Sequence, residues 1–344
     1  MRAAWMAMAM ATLTAAACGG DDGGGLIDAS PADAPDIDAA IDAPIVLVDA
    51  ASDGVVALDA AVDAPPLVNP GFVTPTAVTK ANRKQGGVWT ELGDADWTCL
   101  GTPTADQPAT TAIALTGRVT DYQTGNGVGA APVTAFPMLT PATSLGAATT
   151  SNLAATRGEF TMTAAPLPAG VRRYGFRIEG TGYLRSYALN RYLAPGAAQS
   201  IVLDALAEST ANAIPAFVGV TRDPARGLTL GSLVDCQGRP VSNAVAAIST
   251  TAGTATLPAG ANTFYFSAGS TSLPVRHTQA ATMNKDGLFV VLEVVPVAPA
   301  YVQVWGFRTA AELAGGTLTL LAEAPVLAEA NAASLIDLAP RRAP

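Results

Sequence analysis

Two stretches of this 344-residue chain repeat one another 114 positions apart, and that single repetition limits the fold to two copies of one unit. LTLGSLVDCQGRPVSNAVAAIST aligns with IALTGRVTDYQTGNGVGAAPVTAF, which sets Gly231 under Gly117, Asp235 under Asp121 and, after a one-residue shortening, Val241 under Val128. Further on, NKDGLFVVLEVVPV matches RGEFTMTAAPLP, with Gly287 and Phe289 in the places of Gly158 and Phe160. Two units are too few for a solenoid. They suit two similar small sandwiches in tandem.

The texture inside each copy is that of strands. TAIALTGRVT is an apolar alternation, DYQTGNG supplies a reversal through Gly125 and Gly127, and a second apolar run follows. RGEFTM reads as a short strand after a glycine turn. In VRRYGFRIEGTGY, Tyr174, Phe176 and Ile178 fall on one face while Arg173, Arg177 and Glu179 fall on the other, the period of a half-buried antiparallel strand. Hydrophobic residues make up 49% of the chain and charged ones 14%, which favours strands and turns over charged surface helices.

GRVTDYQTGNGV, RGEFTM and YGFRIEGTGY together resemble the carboxypeptidase regulatory-like domain, a transthyretin-like β-sandwich with a G-x-V-x-D turn, a G-x-F strand and a Y-x-V-x-V strand ending near G-Y. The second copy departs from this pattern, since AYVQVWGF lacks the closing G-Y. The two resemblances cover about two thirds of the chain. They imply an all-β fold of two tandem transthyretin-like or Ig-like sandwiches, at 109–206 and 226–340, after a segment at 71–108 that packs on them. They also imply an accessory module for folding, adhesion or ligand presentation, with no catalytic residues to carry over.

The beginning of the chain points outside the cytosol. Arg2 precedes AAWMAMAMATLTAAA, an apolar run of fifteen residues that is too short to span a bilayer and reads as a signal peptide over 1–17. Two processing routes fit. Ala15 and Ala17 satisfy ordinary signal peptidase, which leads to simple secretion, and the small residues before Cys18 resemble a lipoprotein lipobox that leads to acylation of that cysteine. Multiple acyl chains on Cys18 would anchor the chain stably in a lipid bilayer, and Gly19 after it resembles lipoproteins passed to the outer membrane.

Residues 19–70 contain eleven Asp and no Lys, Arg or Glu, whereas the chain from 71 onward carries eighteen basic and seventeen acidic residues. The net charge of −9 therefore belongs to the tail. Its D-A-P repeats predict a disordered acidic tether over 18–70, because like charges repel and Ala and Pro offer little to bury. A folded part so near neutrality predicts no nucleic-acid partner.

With Cys18 lipidated, Cys99 and Cys236 remain as an even pair in an oxidising compartment, either bridged or as two buried thiols. A bridge predicts that residues 72–108, with Trp89 and Trp97, pack against the second sandwich before the chain enters the first.

Little in the chain suits catalysis. His277, the single histidine, reads as an exposed loop residue beside Arg276, and the supply of His and Cys is short of a zinc set, so no metal or cofactor is expected. Glu91, Asp94 and Asp96 near Trp97 leave room for a secreted carboxylate-dependent hydrolase as the alternative. A candidate ligand surface gathers Arg172, Arg173, Arg177, Tyr183, Arg185 and Arg191, where guanidinium groups beside aromatic rings suit anionic glycans or lipid head groups. The competing reading places the aromatics in the core and leaves the arginines as solubilising charge. The expected function is thus a non-enzymatic binding or structural module of the cell envelope with a glycan or protein ligand. A further alternative is an accessory subunit of an envelope complex.

Overall fold

The structure, a computed structural model, describes residues 72–196, 198–269 and 272–343. The signal peptide, Cys18 and the tether expected at 18–70 lie outside the described residues. A hairpin comes first, of β1 (Lys80–Gln85) and β2 (Val88–Asp94). The first copy holds β3 (Ile113–Asp121), β4 (Pro132–Pro137), β5 (Gly146–Thr149), β6 (Glu159–Ala164), β7 (Tyr174–Ile178), β8 (Arg185–Arg191) and β9 (Gln199–Ala205). Helix α1 (Glu208–Phe217) leads to the second copy. That copy begins with β10 (Gly227–Leu233), β11 (Val241–Ser242), β12 (Val245–Ser249), β13 (Asn262–Phe266) and β14 (Pro274–Val275). It continues through β15 (Leu288–Val294), β16 (Val297–Gly306), helix α2 (Ala310–Gly315), β17 (Thr319–Ala328) and β18 (Ala332–Leu338). The fold is all-β and sandwich-like.

The duplication in sequence is a duplication in topology. In the first copy β3 lies between antiparallel β6 and parallel β9, and in the second β10 lies between antiparallel β15 and parallel β18. The facing layers are β5-β4-β7-β8 and β12-β16-β17. The shared G-x-F signal has a steric cause. Gly117 sits directly opposite Phe160, and Gly231 opposite Phe289. In each pair a Cβ on the glycine would collide with the phenylalanine ring, so the ring lies across bare backbone. Gly158 and Gly287 take positive φ of 88° and 66°, and a side chain there would strike the carbonyl of Val119 or Leu233.

The matched aspartates also share one task. Asp121 Oδ1 accepts from the backbone N–H groups of Gln123 and Thr124, and Asp235 Oδ1 accepts from those of Gln237 and Arg239. Each buried carboxylate thereby closes the turn that follows its strand.

Tandem sandwiches would leave β8 and β18 as sheet edges, but here they pair in parallel, with Tyr187 opposite Ser334 and Leu189 opposite Ile336. The result is one nine-stranded sheet, β14-β13-β15-β10-β18-β8-β7-β4-β5, that runs through both copies. Ala188 faces the first core with Leu115, Phe176 and Leu203, whereas Tyr187 and Leu189 face the second with Leu233, Phe289 and Ile336. A strand buried on both faces needs an unbroken apolar run, which is why SYAL does not alternate. Helix α1 covers the outer face of the second copy, where Ala211, Ile214 and Val218 pack with Leu230, Phe264, Val290 and Leu335.

The N-terminal segment lies along the second sandwich. β1 pairs with β11, Lys80 opposite Ser242 and Ala81 opposite Val241. The Trp97 indole donates to Thr79 Oγ1 at 2.9 Å, and the Thr79 amide donates to the Phe307 carbonyl at 2.9 Å. Cys99 and Cys236 are joined in a disulfide with their Cα atoms 5.8 Å apart. Closing a loop with a sequence separation of 137 restricts the unfolded chain by about 5 kcal/mol on the entropy model.

Candidate functional site

The six residues expected to form a ligand surface separate along β7, whose five residues span about 17 Å. Tyr174, Phe176 and Ile178 are fully buried in the first core. At the Tyr174 end, Arg173 pairs with Asp106, donates to the Asn190 carbonyl at 3.1 Å and sits 6.0 Å over the Tyr192 ring. Arg191 pairs with Asp337 at 3.1 Å, and Arg172 is exposed. At the Ile178 end, Arg177 lies 3.2 Å from Glu179. Arg185 lies between Glu179 at 3.1 Å and Glu329 at 3.5 Å. Four of the five arginines are thus engaged by carboxylates of the same chain, which lowers their value to an outside anion.

Where the two copies meet there is nonetheless a groove of about 280 Å³. Tyr183 and Arg185 line it with Glu179, Leu184, Glu208 and Asn331. Tyr187 supports it from behind by donating to Glu329 at 2.8 Å, and burial followed by that carboxylate pushes its phenol well above the ordinary value. Burial and then Asp121 push the Tyr183 phenol up as well. Two glutamates against one arginine make the groove suited to a polar or cationic segment rather than an anionic glycan.

The carboxylates considered for hydrolysis are placed differently. Asp94 pairs with Lys80 at 2.7 Å. Asp96 accepts from the Thr98 amide and hydroxyl and from the Gln237 side chain, and these bonds, the Thr98 amide first, hold its carboxyl below the usual range. A general acid needs the opposite shift. Asp96 serves the disulfide corner instead, because its amide donates to Asp235 and its carbonyl accepts from Cys236. Arg239 completes that corner by donating to Asp235 Oδ2 from Nε and Nη2 at 2.8 and 2.6 Å.

His277 departs from the expectation of an exposed loop residue. Its ring stacks on Phe264 with centroids 4.4 Å apart, and Nε2 lies 2.8 Å from the Thr263 carbonyl. Among the described residues no three His, Cys, Asp or Glu side chains gather to hold a metal, and no helix is long and apolar enough to cross a membrane.

A second hollow, of about 480 Å³, was not anticipated from the sequence. It lies between the β1–β2 hairpin tip and the loops around β13 and β15, with Val88, Trp89, Asn284 and Lys285 in its walls. The legible signal was KQGGVW. A two-glycine turn, with φ of 58° and 81°, sets Lys84 directly across from Trp89.

No family model matches the chain, and no curated protein matches it. Among solved structures it is similar to the shaft pilin SpaA from Lactobacillus rhamnosus GG, at 12% identity and a TM-score of 0.18, over 67% of this chain and 98% of that one. A streptococcal ancillary pilin matches at 10% identity and a TM-score of 0.19, over 67% of this chain and 69% of that one. At these TM-scores the likeness carries no argument about this chain.

Proposed function

We propose that this protein is a lipid-anchored, non-enzymatic module of the bacterial cell envelope, a pair of fused transthyretin-like sandwiches presented on an acidic tether. The observation that carries the reading is the Cys99–Cys236 disulfide. Bonds of this kind persist in oxidising compartments, and the chain begins with a short apolar leader that ends in small residues before Cys18. The regulatory-like resemblance of GRVTDYQTGNGV, RGEFTM and YGFRIEGTGY supports an accessory role. Gly19 after the acylated cysteine favours the outer membrane.

Asp94 is paired with Lys80, the Asp96 carboxyl is held low, Glu91 is exposed on β2 and His277 is stacked on Phe264, so none of these residues lends support to the hydrolase reading. The groove at the junction of the two copies favours a protein segment as one ligand, which also fits a subunit of an envelope complex. Metabolic labelling with a palmitate analogue, followed by membrane fractionation, tests the anchor. The native chain is expected to take the label and sediment with the envelope, and Cys18→Ala to lose both. Equal label-free, soluble recovery of the two chains would overturn the reading.

A further inference from the structure

Several cations of this fold are paired within it: Arg173 with Asp106, Arg191 with Asp337, Arg239 with Asp235 and Arg308 with Glu312. Lys84 and Lys285 are among those that are not. Neither forms an ion pair among the described residues, and both lie near the hollow at the hairpin tip. Lys285 is in its wall, and Lys84 Nζ stands 5.7 Å from the centroid of the Trp89 ring that forms another wall. Asn284 accepts the Lys285 amide with Oδ1, which leaves its Nδ2 as a donor. Asp286 feels the Lys84 charge, yet it is buried, and desolvation pushes its carboxyl up to about 7, so below neutrality it withdraws little positive potential.

An aromatic wall, two ammonium groups and an amide make a chemically specific set. A sugar ring offers C–H faces to an indole and hydroxyls to an amide, and only a charged sugar has use for both lysines. A volume of about 480 Å³ falls within the range of small-molecule sites and admits a short oligosaccharide. We propose that this hollow binds an anionic saccharide, with a sugar ring on Trp89 and a carboxylate or phosphate on Lys84 and Lys285. The inference names the ligand class for the binding-module reading and is independent of the anchor.

The test uses the full-length chain in detergent, titrated by calorimetry and tryptophan fluorescence. The probes are tetragalacturonate for the carboxylate source, a phosphorylated oligomannoside for the phosphate source and neutral maltotetraose. Saturable binding of at least one anionic probe is expected, weakening as salt rises, with maltotetraose at least tenfold weaker. Lys84→Gln with Lys285→Gln is expected to lose tenfold or more in affinity together with most of the salt dependence. Trp89→Ala is expected to lose a similar factor, while Arg173→Gln binds as the native chain does. Lys84 and Lys285 are half-buried, and a melting temperature of the lysine variants equal to that of the native chain shows that they report on the site even where Trp89→Ala fails to fold. Absence of saturable binding to both anionic probes, equal binding of maltotetraose, or undiminished binding by the double lysine variant would overturn the proposal. None of these results bears on palmitate labelling, so the two readings fail separately.

Discussion

Asp286 combines burial with an incomplete set of partners. Its Oδ1 accepts from the Leu288 amide, whereas Oδ2 is buried without a hydrogen bond. Desolvation, opposed by that amide bond and by Lys84, raises its pKa to about 7. The folded state therefore holds a proton that the unfolded chain has already released. Stability from this group is fully present below about pH 4 and declines as pH rises to about 7, by on the order of 2–4 kcal/mol. Urea unfolding of the native chain and Asp286→Asn across that range measures the difference between them. The variant is expected to gain on the native chain as pH rises, and a constant difference would contradict the prediction. The sequence marked this position only as the residue before a turn glycine, because desolvation depends on what packs over a carboxyl. The turn roles of Asp121 and Asp235 were legible in the alignment, since a side chain that bonds amides two to four residues onward acts within its own local segment.

Several strands were readable because their signal is periodic and local. β3, β6 and β7 follow from alternation and from glycine turns, and the Gly117–Phe160 pairing explains why the G-x-F motif recurs in the second copy. Helix α1 was not readable. ESTANAIPAF contains Pro215 and several residues of low helix propensity, and no side chain caps its start. Tertiary packing holds it in place, with Ile214 entering the cluster beneath. Ile214→Ala is expected to cost about 2–4 kcal/mol in chemical denaturation by opening a cavity between the helix and β10, β13 and β15. A loss near the exposed-surface level of about 0.5 kcal/mol would show that the helix is only a lid of no consequence to the core.

At the scale of the whole molecule, the disulfide decides how tension travels. The chain reaches Cys99 while zipped to the second sandwich, and Cys236 lies in that same sandwich. The covalent path between the N-terminal segment and the C-terminus crosses from Cys99 to Cys236 through sulfur and leaves out the chain between them, which holds the first sandwich. Single-molecule stretching between handles at the two ends is expected to give a full extension about 450–490 Å longer after reduction, from the 137 residue steps released. Equal extensions with and without reductant would mean that the bond does not carry the load.

What the amino-acid sequence determined by itself was the unit and its repetition: strand period, turn glycines, the recurring G-x-F motif and the aspartate turns, all features made within a short span of chain or stamped twice upon it. Only the tertiary structure decided how the two units join, because the parallel pairing of β8 with β18 needs backbone edges more than 140 positions apart to meet. It also decided the fate of the charges. Whether an arginine is free or neutralised depends on a partner such as Asp337, 146 positions from Arg191, and no local pattern records that distance.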